Sequence, residues 1–199
     1  MIAAAIMKEN SEILIKNVLV NPLRMGFIEA AIKMGANISL ENIRDLQGEK
    51  VADIRAKSSC LNGIHISKDK VTSMIDEIPI LSIVAAYSNG ITKIEGLSEL
   101  KSKESDRLYL IAKYLEKCGV NVKLDYELSS LEIIGCSRLI PGGITVDPSF
   151  DHRIAMSFLI LGIVSKKSIT VKNIEFIATS FPLFIDIINK IGGEIIVDQ

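Results

Sequence analysis

The chain has 199 residues, 48% of them hydrophobic and 24% charged, enough to bury a substantial core as one large or two small domains. A formal net charge of -1, with no basic tract interleaved with aromatics, argues against a nucleic-acid partner. Cys60, Cys118 and Cys136 are odd in number, widely spaced and outside any C-x-x-C pattern, so buried thiols in a reducing cytoplasm are expected.

Residues 1–7, M-I-A-A-A-I-M, are apolar but lack a basic n-region and are too short for a signal segment or a membrane span, so no membrane partner is expected. They read as the last two turns of a helix whose beginning is missing. A strand is expected over 13–20, and Asn21-Pro22 supply a cap and an N1 proline for a helix that stops at Gly35. Residues 36–40 read as a second strand, and short strands over 51–57 and 63–67 bracket an Asn62-Gly63 turn. Asp76 is expected to cap a helix through Tyr87, with Pro79 tolerated in its first turn and Asn89-Gly90 ending it. After a strand at 91–97 comes the charged run K-S-K-E-S-D-R over 101–107. Leu108, Ile111, Ala112, Leu115 and Cys118 then recur at helical spacing, with Ser105 as the expected cap and Gly119 as the stop. Strands follow over 120–126, 130–134 and 144–146, and Asp151 caps an apolar helix to about Val164. Residues 168–174 read as a strand, Ser180 as the cap of a helix with Pro182 in its first turn, and 194–197 as a last strand after Gly192-Gly193.

This order repeats. The segments I-L-I-K-N-V, I-T-K-I-E-G and I-T-V-K-N-I begin at Ile13, Ile91 and Ile169, 78 residues apart each time. Each leads to a capped helix, a glycine stop and an apolar strand, so one supersecondary unit is used several times. Alternating strands and helices make the class α/β, with helices packed on one another beneath sheets. The first unit lacks its opening helix apart from residues 1–7, so the repeat is cut at the start of the chain.

Three helix starts carry unusual charge: Asp76-Glu77, the run 103–107, and Asp151-His152-Arg153. A cation in a first turn opposes the helix macrodipole by roughly 0.3–1 kcal/mol. Arg107 and Arg153 both occupy that position, at repeat-equivalent ends, and a shared anionic ligand such as a phosphate or carboxylate accounts for both.

These residues carry a resemblance. K-x-K-E-S-D-R-L after L-x-E-L, then D-H-R-I-A-M-S-F, then T-S-F-P, with M-I-D-E-x-P upstream, resemble the EPSP synthase family, the 3-phosphoshikimate 1-carboxyvinyltransferases, over essentially the whole chain. The resemblance implies the enolpyruvyl transferase fold: two lobes, each of three βαβαββ units, with substrates in the cleft between them. Residues 1–199 would then be a single, incomplete lobe from the C-terminal part, with the N-terminal lobe absent. It implies transfer of the enolpyruvyl group of phosphoenolpyruvate to the 5-hydroxyl of shikimate 3-phosphate, without metal or organic cofactor. By resemblance, Asp76 contacts the attacking hydroxyl and takes its proton. Glu104 protonates the methylene carbon of phosphoenolpyruvate and later removes that proton. Lys103 lies near the shikimate hydroxyls, and Arg107 and Arg153 hold phosphoenolpyruvate. Thr179 stands where one branch of the family has a further lysine. The other lobe's catalytic lysine, phosphate-binding serines, glutamine and arginines have no counterpart here, which raises the possibility of a complementing N-terminal polypeptide.

The remaining candidates are weaker. His152 reads as a hydrogen-bonding brace and His65 as incidental; no His/Cys/Asp cluster has metal-ligand spacing, and no P-loop or dinucleotide fingerprint occurs. The rival readings are a non-catalytic remnant lobe that binds phosphoenolpyruvate weakly, and an enolpyruvyl transferase acting on UDP-N-acetylglucosamine, which K-E-S-D-R and D-H-R-I-A-M-S-F disfavour.

Overall fold

A helix that is apolar on every side has no face to offer water and has to lie inside a fold. Two such helices organise the computed structural model, which describes residues 1–197. In chain order the elements are α1 (Ile2–Met7), β1 (Glu12–Leu19), α2 (Gly26–Lys33), β2 (Asn37–Leu46), β3 (Glu49–Lys57), β4 (His65–Ile66), α3 (Lys68–Val71), α4 (Ile78–Tyr87) and β5 (Ile91–Ile94). Then come α5 (Arg107–Lys117), β6 (Asn121–Asp125), β7 (Ser130–Ile134), β8 (Thr145–Val146), α6 (His152–Val164), β9 (Thr170–Val171) and α7 (Phe184–Lys190). Every residue of α4 except Ile80 is buried, and α6 buries an apolar run over 158–161. With α1, whose Ile6 and Met7 are buried, these helices pack on one another as the inner layer.

The sheets lie outside this layer. The first has the order β1-β3-β2, antiparallel throughout; the second has the order β4-β5-β7-β6, with β4 parallel to β5 and the rest antiparallel; the third is a parallel pair, β8-β9. The segment from β4 to β7 is therefore one complete βαβαββ unit. The unit before it begins at its first helix, and the unit after it runs β8, α6, β9, α7. The repeated glycine stops share one geometry. Gly35, Gly119 and Gly192 have φ of +98°, +84° and +100°. The next residue in each case bonds back to the helix: Ala36 N–H to Ala31 O, Val120 N–H to Leu115 O, and Gly193 N–H to Ile188 O, at 2.9, 3.0 and 2.8 Å. Left-handed glycines with such back-bonds are how a helix turns sharply into a strand.

Several expectations are corrected. Residues 194–197 form no strand, because no strand among the described residues lies beside them. The strand expected over 168–174 shortens to β9. Asn21 does cap, accepting from Leu23 N–H at 2.9 Å, but it caps a 3-10 turn, Pro22–Arg24, that precedes α2. Asp76 does not cap α4: it lies in the last turn of a 3-10 stretch, Thr72–Glu77, whose final residue Glu77 takes the cap position without a side-chain cap bond. Asp106, not Ser105, caps α5, accepting from Tyr109 N–H at 2.9 Å. Ser180 precedes α7 without capping it. The Asn62-Gly63 pair is no hairpin turn, since β3 and β4 belong to different sheets. Gly63 is there because it lies against the chain at Ile91, where a Cβ would come within 2.2 Å of the Ile91 carbonyl. Of the thiols, only Cys118 is buried; Cys60 is exposed.

Candidate functional site

The starts of α4, α5 and α6 meet at one end of the inner layer, brought together by a single side chain. Arg107, the first residue of α5, is 1% exposed. Its Nε donates to Asp151 Oδ2 at 2.7 Å, one terminal nitrogen donates to Asp76 Oδ1 at 3.2 Å, and the other donates to Glu104 Oε2. Asp151 is fully buried and uses both oxygens. Oδ1 caps α6 through Arg153 N–H at 2.9 Å and Ile154 N–H at 3.3 Å, while Oδ2 also accepts from Ser105 Oγ at 3.0 Å. Buried charge is tolerated only when it is paired and hydrogen-bonded, and this pair is both.

Arg153 reaches the same point from α6. It donates to the Asp76 carbonyl at 2.9 Å and lies 3.7 Å from both the Asp76 and Glu77 carboxylates. Lys103 approaches from the other side, with Nζ 3.7 Å from Asp76 and bonded to Glu99. Asp76 thus sits within reach of three cations. Burial pushes its carboxyl pKa up, but the charges of Arg153, Lys103 and Arg107 and the bond from Arg107 outweigh that and hold it below the ordinary value. The bond to Glu99, against partial desolvation and aided by Asp76, holds Lys103 above the ordinary lysine value.

All five residues singled out in the sequence, Asp76, Lys103, Glu104, Arg107 and Arg153, are therefore in one cluster. The awkward placing of Arg107 and Arg153 has an internal answer in the first instance: carboxylates of the chain itself meet both guanidinium groups. Arg107 is sealed, whereas the Lys103, Asp76 and Arg153 side chains remain 22%, 27% and 30% exposed and Glu104 49% exposed, so the accessible face of the site is these four. Sequence reasoning missed Asp151 as the buried partner of Arg107, and Glu77 and Glu99 as partners of Arg153 and Lys103. The signal for Asp151 was a cap whose second oxygen needed a donor. Thr179 is exposed and bonds only within its own turn, to Phe176 O at 2.7 Å. His65 pairs with Glu95 at 3.4 Å on the surface. Among the described residues no group of His, Cys, Asp and Glu is arranged to hold a metal ion, and no helix is long and apolar enough to cross a membrane.

The chain as a whole has close counterparts in sequence and fold. Residues 1–188 match the profile of the family described as EPSP synthase (3-phosphoshikimate 1-carboxyvinyltransferase). The chain belongs to the EPSP synthase family. A 3-phosphoshikimate 1-carboxyvinyltransferase of Paramagnetospirillum magneticum is 44% identical over 194 residues, and one of Bartonella henselae is 45% identical over the same number. The alignments cover 98% of this chain but 43% and 44% of those relatives, so the chain spans under half the length of the EPSP synthases it matches. In structure it resembles the EPSP synthase of Acinetobacter baumannii with a TM-score of 0.93 at 37% identity, covering 100% of this chain and 45% of that one. The enolpyruvyl transferase NikO of Streptomyces tendae shares the fold, with a TM-score of 0.73 at 17% identity over 97% of this chain and 41% of that one. The enolpyruvyl transferase architecture of repeated βαβαββ units is thus the fold of this EPSP synthase family chain.

Proposed function

We propose that this chain carries one side of an active site that transfers the enolpyruvyl group of phosphoenolpyruvate to the 5-hydroxyl of shikimate 3-phosphate. The observation that supports this most directly is the convergence of Lys103, Arg107 and Arg153 on Asp76, beside the half-exposed Glu104. In the reaction the hydroxyl oxygen adds to C2 of phosphoenolpyruvate, Asp76 takes the hydroxyl proton, and Glu104 delivers a proton to C3. Glu104 then recovers a proton from C3 as the C–O bond to phosphate breaks. Asp76 with its lowered pKa is a weak base while three cations surround it. An anionic substrate that draws Arg153 and Lys103 to itself raises the basicity of Asp76 just where the hydroxyl binds.

Guanidinium groups fork onto carboxylate and phosphate, but Arg107 reaches an incoming anion only if Glu104 swings away from it. That is compatible with a Glu that must turn toward the substrate carbon. The same self-satisfied Arg107 also suits the second reading, a remnant lobe that needs no ligand. The full cleft requires groups that the chain does not supply, which we assign to a complementing polypeptide carrying the other lobe. Lost positioning and closure are worth up to about 7–11 kcal/mol of barrier, so turnover by the chain alone is expected to be negligible. The test is phosphate release with both substrates, with and without a polypeptide comprising the other lobe. Release that appears only on mixing, and is lost with Glu104→Gln, supports the transferase reading; no release under either condition leaves the remnant.

A further inference from the structure

The candidate site has a fourth cation at its rim, supplied by the first unit. Arg24 is the last residue of the 3-10 turn Pro22–Arg24, and its Nη2 lies 3.7 Å from Glu77 Oε1. Arg153 Nη1 lies 3.7 Å from the same oxygen. One carboxylate oxygen therefore stands between two guanidinium groups, one of which belongs to the accessible face of the site. Among the described residues Glu77 is the carboxylate that Arg24 pairs with, whereas Arg153 also has the Asp76 carboxylate at 3.7 Å and donates to the Asp76 carbonyl at 2.9 Å.

Arg24 is held at this place by the chain around it. Pro22 fixes the start of the turn, Asn21 Oδ1 accepts from Leu23 N–H at 2.9 Å, and Asn21 O accepts from Arg24 N–H at 2.8 Å. Two residues on, Gly26 lies flat against the 3-10 stretch Thr72–Glu77, where a Cβ would come within 2.3 Å of Ser73 Oγ and 2.9 Å of Met74 Cβ. Any side chain at 26 would push the turn away from the stretch that carries Asp76 and Glu77. The glycine is what lets a residue of the first unit reach a carboxylate of the second.

An arriving anion changes the pairing. To fork onto a carboxylate or phosphate, Arg153 has to give up both Asp76 and Glu77. Asp76 keeps Arg107, at 3.2 Å. Glu77 is left to water unless Arg24 holds it, and its side chain is only 27% exposed, so an unpaired charge there is costly. We infer, on the reading of the site proposed above, that Arg24 is a positioning residue for anion binding: it takes over Glu77 as Arg153 turns to an anionic substrate, and so lowers the cost of releasing Arg153. Arg24 acts through Glu77 and does not itself touch the ligand. The site thereby depends on a turn that precedes α2, outside the three helix starts that form its face.

The test is titration of the 199-residue chain with phosphoenolpyruvate at constant ionic strength, followed by calorimetry and by the side-chain Nε–H resonance of Arg153. Arg24→Gln is expected to weaken binding by about three- to fivefold, the size that a partly exposed ion pair supports. Arg24→Lys keeps the charge and is expected to stay within about twofold of the parent. Glu77→Gln removes the carboxylate that competes for Arg153 and is expected to tighten binding. The deciding variant combines Arg24→Gln with Glu77→Gln. With no carboxylate left to take over, loss of Arg24 is then expected to change affinity by less than about 1.5-fold. A loss in that background as large as in the parent would mean that Arg24 acts by its field alone or by touching the ligand, and overturns the proposal. So does binding by the parent that is indifferent to Arg24→Gln. Either result leaves the anion site itself standing, whereas a parent chain with no saturable binding overturns both.

Discussion

Arg107 is held by carboxylates from three segments, and the arrangement fixes what each partner is worth. Asp151 is the one that cannot be replaced by water, because both members of the pair are buried at 1% and 0% exposure. Asp151→Ala strands the guanidinium charge and releases the α6 cap together, so a loss of about 3–5 kcal/mol is expected in urea unfolding. Arg107→Lys is expected to be nearly as damaging, since one ammonium cannot serve three carboxylates in a fork. Asp76 gives a pH signature. Its folded pKa lies below the unfolded value near 3.8, so its contribution is present above that pH and is lost as the pH falls through the folded value. Asp76→Asn is therefore expected to flatten the acid limb of stability below about pH 4 relative to the parent, as measured by thermal unfolding across pH. The two arginines were legible in the sequence because a first-turn cation opposes its own helix. Their partners were not, because Asp76 and Asp151 lie 31 and 44 residues from Arg107 and only the tertiary fold brings them near.

At the scale of elements, the repeat was readable where local chemistry alone decides and unreadable where a neighbour decides. The glycine stops at Gly35, Gly119 and Gly192 needed no tertiary information, since a left-handed residue is a local demand. The strand expected over 194–197 failed because a strand exists only through its partner. Caps failed for a subtler reason: the stretch K-E-S-D-R offers two good candidates side by side, and burial chose. Ser105 is drawn inward to Asp151, which leaves Asp106 at the helix start. Asp106→Ala is accordingly expected to cost about 1 kcal/mol through the lost cap, measured as a shift in urea midpoint at constant slope. Tyr126 reports the same residue, because its hydroxyl donates to Asp106 Oδ2 at 2.7 Å and that bond holds its pKa above the ordinary value. In Asp106→Ala the tyrosine titration is expected to move down.

For the whole molecule, cohesion between units runs through the inner helices: among the described residues the three sheets share no strand, and the isolated bridges Asn62–Asn89 and Gly142–Lys167 only lengthen the parallel pairs β4–β5 and β8–β9 within their own units. Helix α1 has only 6 residues, too few to be stable alone, and its persistence depends on the faces of α4 and α6 that it covers. Ile6 is fully buried there, so Ile6→Ala is expected to cost about 2–5 kcal/mol, far more than its place near a terminus suggests. The loss will not fall evenly. Among the described residues the third unit has two short paired strands against three and four in the others, so its opening needs the fewest hydrogen bonds broken. Weakening the inner layer at Ile6 removes support from both α4 and α6, on which α1 packs directly, and α6 gives first because its unit has the fewest paired strands to hold it. Native-state hydrogen exchange on Ile6→Ala should then show α6 and β9 amides accelerating more than those of β5 and β7. Equal acceleration everywhere would mean that the three units unfold as one, with the inner layer distributing strain instead of localising it.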